Sequence, residues 1–365
     1  MAAELHFAGY APKTLEPKNS IGAKWPRLLQ ALQLDRVVGG KRTAVKMHLG
    51  GNVGFSTIHP YLIRQLVQAL RQAGAADVFC TDGAEAVRHA AARGYTAEVL
   101  GCQLVATSGT ADRYFYSTPI EPAFRSLAEV ELAGEIVDAE ALIDLAHVKG
   151  HGACGFGGAS KNLSMGCVTQ KTRGQLHALE GGLEWDADIC THCRICLENC
   201  PNHAISFTDE DVLSVFYHHC KFCQHCVLIC PQDALKMAGG RYGDFQQGMA
   251  LTTDRVLSTF AAEQVLFINV LMGMTIFCDC WGMTTPALIP DIGILAGSDI
   301  VAIEQASLDL IRVEDLIPGT LPPGLELRSE GHLWERIHGK DPYTVVQSLA
   351  ELGRGSREYI LTEVE

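Results

Sequence analysis

Eight of the chain's 14 cysteines fall in two runs, Cys190, Cys193, Cys196 and Cys200, then Cys220, Cys223, Cys226 and Cys230. Each run reads C-x2-C-x2-C-x3-C-P, and a shift of 30 residues also carries Pro201, Ala204 and Ile205 onto Pro231, Ala234 and Leu235. The repeat is an internal duplication, and thiolates at this density ligate metal. Zinc takes four thiolates, but its sites present separated C-x2-C knuckles rather than four cysteines in 11 residues. The spacing fits two 4Fe–4S clusters, with the fourth cysteine of each run serving the other cluster. Cys190, Cys193, Cys196 and Cys230 then hold one cluster, and Cys220, Cys223, Cys226 and Cys200 the second. His192, His203, His218, His219 and His225 lie among these ligands and are expected on the surface or donating to sulfur, because cysteine fills every ligand place.

A second set of chemistry-bearing residues lies in AHVKGHGACGFGGASKNLSMGC, Ala146 to Cys167, where six glycines accompany His147, Lys149, His151 and Lys161. Glycines after a strand let backbone amides approach an anion, and a following helix N-terminus favours negative charge. The stretch is neither a G-x-x-x-x-G-K-[ST] phosphate loop nor a G-x-G-x-x-G dinucleotide fingerprint, so ATP and NAD are not inferred. Lys46 and His48 alternate onto one face of a strand before Gly50–Gly51, and Asp82 closes another strand. If these strands are parallel, their ends converge on a cationic pocket for a carboxylate, phosphate or enolate. Finally, Cys278 and Cys280 flank Asp279 in FCDCWG. Such a pair can bind metal, act as a redox dithiol or pack as a small buried hydrophobe. With Cys167, it is a candidate third metal or thiol site facing the glycine-rich loop.

The elements that position these residues follow from periodicity. Strand Thr43–His48, helix Pro60–Ala73, strand Asp77–Thr81 and a helix ending at Gly94 make the alternation of a mostly parallel α/β sheet, where ligands gather at the carboxyl ends of strands. Further strands are expected at Gln103–Ala106, Glu135–Val137, Ala141–Val148, Val265–Phe277 and Ile289–Leu295. Helices are expected at Gln247–Ala262, from a Ser298 or Asp299 cap to Ile311, and at Tyr343–Leu352. Between 184 and 240 the composition turns rich in cysteine and histidine. The expected organisation is an α/β host domain in two parts, 1–183 and 241–365, interrupted by a small dicluster unit at 184–240.

Composition sets outer bounds. At 365 residues, 47% hydrophobic and 19% charged, the chain is folded and long enough for more than one domain. Its net charge of −13 argues against nucleic acid, which needs a basic surface. The apolar stretch Val265–Cys278 is too short for a bilayer span. The first residues lack a secretory pattern, so a cytoplasmic, reducing setting is expected, where cysteines serve as ligands or thiols.

Taken in order, KMHLGGN, FCTDG, the Ala146–Cys167 stretch, the two cysteine runs, FCDC and PDIGILAGSDIVAIEQASLDLI resemble the uncharacterised iron–sulfur centre proteins of the domain-of-unknown-function 362 type. The resemblance spans roughly Thr43 to Glu314. It implies two 4Fe–4S clusters in a bacterial-type ferredoxin insert, an α/β host and an anaerobic or microaerobic source, and no settled reaction. Family members tend to read S-D-P-V-A-I-D where this chain has Ser298 to Glu304. A fainter similarity reaches the lactate racemase family, whose host fold carries a nickel-pincer cofactor. His151, Gly157–Gly158 and Lys161 reproduce its order of His, Gly–Gly and Lys.

The expected function is an iron–sulfur redox protein passing single electrons to or from a ligand in the host domain. Lys161, Lys149, His147, His151, Lys46 and His48 would bind and polarise that ligand, with Cys278 and Cys280 nearest the redox chemistry. One alternative is a non-catalytic electron carrier or maturation partner, whose acidic surface steers it to a basic patch. Another is a racemase- or isomerase-like enzyme whose clusters are structural. The partners these readings call for are a redox partner protein or a small anionic ligand.

Overall fold

The computed structural model describes residues 2–364 except 52, 202, 216–219, 221–224, 239–241, 323, 324 and 326. The expected ligand Cys223, with His218 and His219, therefore lies outside the described residues.

Strands such as ALIDLAH and VLFINVL are apolar on both faces, the pattern of strands covered by helices on each side. Eight such segments form one sheet: β1 (Ala3–Gly9), β2 (Arg42–Met47), β3 (Asp77–Asp82), β4 (Gln103–Ala106), β5 (Ala141–His147), β6 (Val265–Leu271), β7 (Gly293–Gly297) and β8 (Tyr359–Glu363). Their spatial order is β8-β1-β7-β6-β5-β2-β3-β4. Every neighbouring pair is parallel except the two made by β7, so the fold is a mostly parallel α/β sheet.

Alternate residues of each strand feed two separate cores. Ala44, Leu142 and Ala146 face Leu163, Met249, Ile303 and Val346 from the helices Ala159–Gly166, Tyr242–Leu257, Ile300–Asp309 and Tyr343–Glu351. Val45, Ile143 and Leu145 face Leu28 and Leu66 from the helices Ile21–Ala31 and Pro60–Gln72. The period of two along the strands thus builds a three-layer sandwich.

Several expected boundaries shift. Glu135–Val137 lies in the short helix Gly134–Val137 rather than a strand, since three residues carry no periodicity to tell the two apart. The strand expected to reach Phe277 ends at Leu271, where Gly273 takes a left-handed φ of 60° and turns the chain. The next strand begins at Gly293 rather than Ile289. The helix expected at Gln247–Ala262 runs from Tyr242 to Leu257. Asp299 is the cap of the following helix, its carboxylate accepting from the Ala302 amide at 2.9 Å. The terminal strands β1 and β8 and the hairpin Phe115–Phe124/Leu127–Ala133 have no counterpart among the expected strands.

In the cysteine-rich segment the duplication is structural. The helices Ile195–Glu198 and His225–Leu228 stand 30 residues apart, as do the starts of the strands Ile205–Phe207 and Leu235–Ala238. Each strand sits in its own two-stranded sheet. Cys200, Ala204, Ile205, Cys226 and Leu235 make a small apolar cluster of their own, with Cys196 and Cys220 packed against it. Among the described residues no helix is long and apolar enough to cross a membrane.

Candidate functional site

The carboxyl ends of the adjacent strands β5, β2 and β3 carry His147, Lys46 and Asp82 to one edge of the sheet. Each strand then hands the chain to a loop, and the loops wall a cavity of about 150 Å³. Lys46, His48, Asp82, His147, His151, Lys161, Cys278, Asp279 and Cys280 all line it.

Two buried aspartates organise this edge in parallel ways. Asp82 accepts from Lys46 Nζ at 3.1 Å, from the Leu49 amide at 2.9 Å, and faces His48 Nδ1 at 2.8 Å. Burial alone would raise the Asp82 carboxyl, but Lys46, His48 and the Leu49 amide outweigh it and hold the group well below the usual carboxylate range. Asp279 accepts from Lys149 Nζ at 2.5 Å and faces His147 Nδ1 at 3.2 Å, while His147 Nε2 meets the Met272 carbonyl. It too is held low, because His147 and Lys149 overcome its desolvation.

The lysines at these two centres have spent their protons. Lys46 Nζ also donates to the Asn162 amide oxygen at 2.7 Å and the Met47 carbonyl at 3.0 Å. Lys149 Nζ also donates to the Ser56 carbonyl and hydroxyl, each at 2.9 Å, and its side chain is wholly buried away from the cavity. Each ammonium has three donors and three acceptors. Lys46, which lines the cavity, and Lys149, which does not, are thus each tied to a buried aspartate that also faces a histidine, His48 at Asp82 and His147 at Asp279.

Lys161 differs. Its Nζ lies 3.5 Å from both Cys278 Sγ and Cys280 Sγ, and among the described residues no carboxylate comes within ion-pair distance. Burial pushes its ammonium below the ordinary lysine value. The cysteines form a disulfide, with Cys278 buried and Cys280 exposed. His151 brings a ring nitrogen to within 4.8 Å of both sulfurs, so with the disulfide reduced this trio would present three ligand atoms for a metal ion. Cys167, the expected third member, instead packs in the hydrophobic core with its thiol pushed up by burial.

Asn162 and Asp144 were not singled out from the sequence. Asn162 bridges Lys46 and Asp144, its amide donating to Asp144 Oδ1 at 2.5 Å. Burial holds the Asp144 carboxyl well above its usual range, favouring the neutral acid. A usable signal was present: an acid inside the apolar strand ALIDLAH, and an amide directly beside Lys161. Glu304 accepts from the Ser160 amide at 2.6 Å at the start of the helix that carries Lys161, and burial pushes its carboxyl up to about 7. His48 Nε2 is buried without a hydrogen-bond partner, although the ring lines the cavity.

The cysteine runs meet this site. Cys190, Cys193, Cys196 and Cys230 line one cavity inside the cysteine-rich segment, whereas Cys220 lines the host cavity with Lys161, Cys278 and Cys280.

Comparison with known proteins gives limited company. The chain is similar to the lactate racemase apoprotein from Thermoanaerobacterium thermosaccharolyticum, at 14% identity and a TM-score of 0.35 over 74% of this chain and 51% of that one. It is also similar to a crystallised Thermotoga maritima protein, at 9% identity and a TM-score of 0.36 over 72% and 52%. It spans about half the length of these solved proteins. No curated protein matches the sequence. From residue 43 to residue 309 the sequence matches the domain of unknown function DUF362, and the chain belongs to that family.

Proposed function

We propose that this chain is an iron–sulfur redox protein that passes single electrons to or from a small anionic ligand in the cavity at the carboxyl edge of the sheet. The observation that carries the reading is that Cys220, a member of the second cysteine run, lines the same cavity as Lys161, Cys278 and Cys280. A unit of electron-carrying composition opens onto the site.

The residues fit the clusters. The grouping of Cys190, Cys193, Cys196 and Cys230 around one cavity is the crossed set that the spacing calls for. Backbone amides point at sulfur in matching places: Ala204 N to Cys200 Sγ and Ala234 N to Cys230 Sγ, both at 3.3 Å, with His192 N 3.4 Å from Cys190 Sγ. Such donors stabilise thiolate charge and tune a bound centre. Cys200, Cys220 and Cys226 pack together in the segment's own apolar cluster, and with Cys223 they would hold the second centre. When bound, each centre supplies one-electron transfer. In this reading 184–240 is a unit inserted into the host.

In the host, Lys161 contributes positive charge to the cavity, and His48, held at Nδ1 by Asp82, forms part of its lining. Asp82 and Asp279 fix the rings of His48 and His147. The cavity suits a small acid, held by charge on one side and a directed imidazole on the other.

The test is anaerobic purification with iron, sulfide, nickel and zinc quantified, followed by EPR of the dithionite-reduced protein. About eight iron and eight sulfide per chain with interacting S = ½ signals are expected. Zinc without sulfide would sink the reading.

A further inference from the structure

We infer that Cys278 and Cys280 are a redox-active pair, a disulfide that opens by taking two electrons from low-potential one-electron carriers, with Lys161 as the cation that holds the thiolate released. The inference rests on the iron–sulfur reading above and names what the electrons reach.

Three features of the loop support it. Asp279, between the two cysteines, is anchored by Lys149 and His147, so the backbone is fixed while the sulfurs on either side border the cavity. Lys161 Nζ is equidistant from both sulfurs at 3.5 Å, placed to stabilise negative charge on either. Cys280 is exposed and Cys278 buried, which makes Cys280 the thiol open to a partner or ligand.

The rival use of the same atoms is a metal site with His151. Two observations weigh against it. The His151 Nδ1 lone pair accepts the Ala153 amide at 3.2 Å, which leaves the proton of the neutral ring on Nε2 as a donor rather than a ligand. Lys161 also sets an ammonium beside both sulfurs, where it would repel a bound cation.

The step balances simply. One S–S bond breaks, two electrons enter, and two protons complete two thiols; with Lys161 holding one sulfur as thiolate, a single proton is taken up. The electrons come from a reduced one-electron carrier of the iron–sulfur or flavin class, or from dithionite. Two electrons per opening match in number what two one-electron centres on the eight run cysteines can store. Cys220 lines the same cavity as the pair, so the second run borders the space where those electrons are needed.

Cys80 and Cys102 provide an internal control. Their sulfurs lie 3.4 Å apart, yet both are buried in the apolar core and neither lines the cavity.

The experiment is redox-dependent alkylation of the full-length protein, purified anaerobically with its iron and sulfide measured in the same sample. Iodoacetamide is added before and after stepwise dithionite, and peptides are read by mass. The expected result is an unlabelled 278–280 peptide as isolated and a label on the exposed Cys280 after two further electron equivalents, with the buried Cys80 and Cys102 unlabelled throughout. In Lys161→Met the pair still opens, but native-state labelling of Cys280 at pH 7 slows about tenfold, as expected when a neighbouring cation no longer favours thiolate. Cys280→Ser should leave iron and sulfide unchanged, which checks folding separately.

Bleaching of the iron–sulfur absorbance by dithionite with the 278–280 peptide still unlabelled overturns the dithiol while leaving the iron–sulfur reading intact. A metal ion that is lost in Cys278→Ser and Cys280→Ser, with no disulfide in any state, overturns it in favour of ligation. A chain without iron and sulfide overturns the reading beneath it, and shows in the metal analysis alone.

Discussion

Lys46 lines the cavity and Lys149 lies just behind it, yet the surroundings of both are opposite to those of Lys161, which also lines it. Each of the first two is saturated by a carboxylate and two further oxygens. The third meets two sulfurs and no carboxylate among the described residues. A lysine with three oxygen acceptors is a fixed part of the frame. One beside sulfur keeps its charge available to the chemistry. Composition cannot make this distinction, because each of the three is a lysine near a strand end with glycines close by.

The largest effect expected from breaking the frame is at its aspartates. Asp279→Ala leaves the Lys149 ammonium buried without its counter-charge and His147 Nδ1 without its partner. Removing one side of such a buried pair costs about 3–5 kcal/mol. Chemical denaturation of the apo and iron-loaded protein checks this, and a loss below about 1 kcal/mol would mean that Asp279 is not holding Lys149 in place.

Acid and base should act on different groups. Asp82 and Asp279 are held below the ordinary carboxylate range, so the unfolded chain binds protons first as pH falls. Their stabilisation is complete above about pH 5, begins to drain near the unfolded value of about 4 and is lost only as pH falls through the depressed folded values. Glu304 runs the other way. Its carboxyl is raised from 4.5 to about 7, so the folded state binds the extra proton, and stability falls as pH rises between those values. The loss across that window is about 3 kcal/mol. Glu304→Gln should flatten the neutral limb of the stability–pH curve while leaving the acid limb unchanged. A neutral limb unaltered in the variant would show that Glu304 ionises freely.

Gly166 makes a smaller test of the same frame. A Cβ there would overlap Lys46 Cε and Nζ, the side chain that reaches Asp82 and Asn162. Gly166→Ala should cost about 1–3 kcal/mol, the range for overpacking a filled interior. The effect should be largely lost when Lys46 is already shortened to alanine, so a double-mutant cycle reads the coupling directly.

How much of this the sequence carried depends on the kind of signal. The strand ends at Lys46, Asp82 and His147 were legible, because apolar runs punctuated by glycine mark strands closing at a parallel edge. Helix and strand limits at Glu135–Val137 and Val265–Phe277 were not, since short apolar segments look alike until a turn such as Gly273 interrupts them. Partner choice was hidden altogether. His151, not Cys167, joins Cys278 and Cys280 across more than a hundred residues, and Asp279 is claimed by Lys149 over a similar span. Spacing specifies neighbours along a strand or helix. It says nothing about which of several chemically suitable groups a loop will reach.

The sharpest form of the comparison is one substitution made at two lysines. Lys149→Met leaves Asp279, a buried carboxylate, without one of its two cationic partners, and should destabilise by about 3–5 kcal/mol. Lys161→Met removes a partly buried charge with no carboxylate to strand. Methionine keeps an unbranched apolar stem of similar reach, and the desolvation of the ammonium is relieved, so stability should stay within about 1 kcal/mol of the parent or rise. Thermal or urea unfolding of the pair decides it. If Lys161→Met destabilises as much as Lys149→Met, then Lys161 belongs to the frame after all, and its position between the sulfurs is architectural. If only Lys149→Met does, the molecule has one lysine at this edge whose charge its own fold does not require, and that lysine is the one facing Cys278 and Cys280.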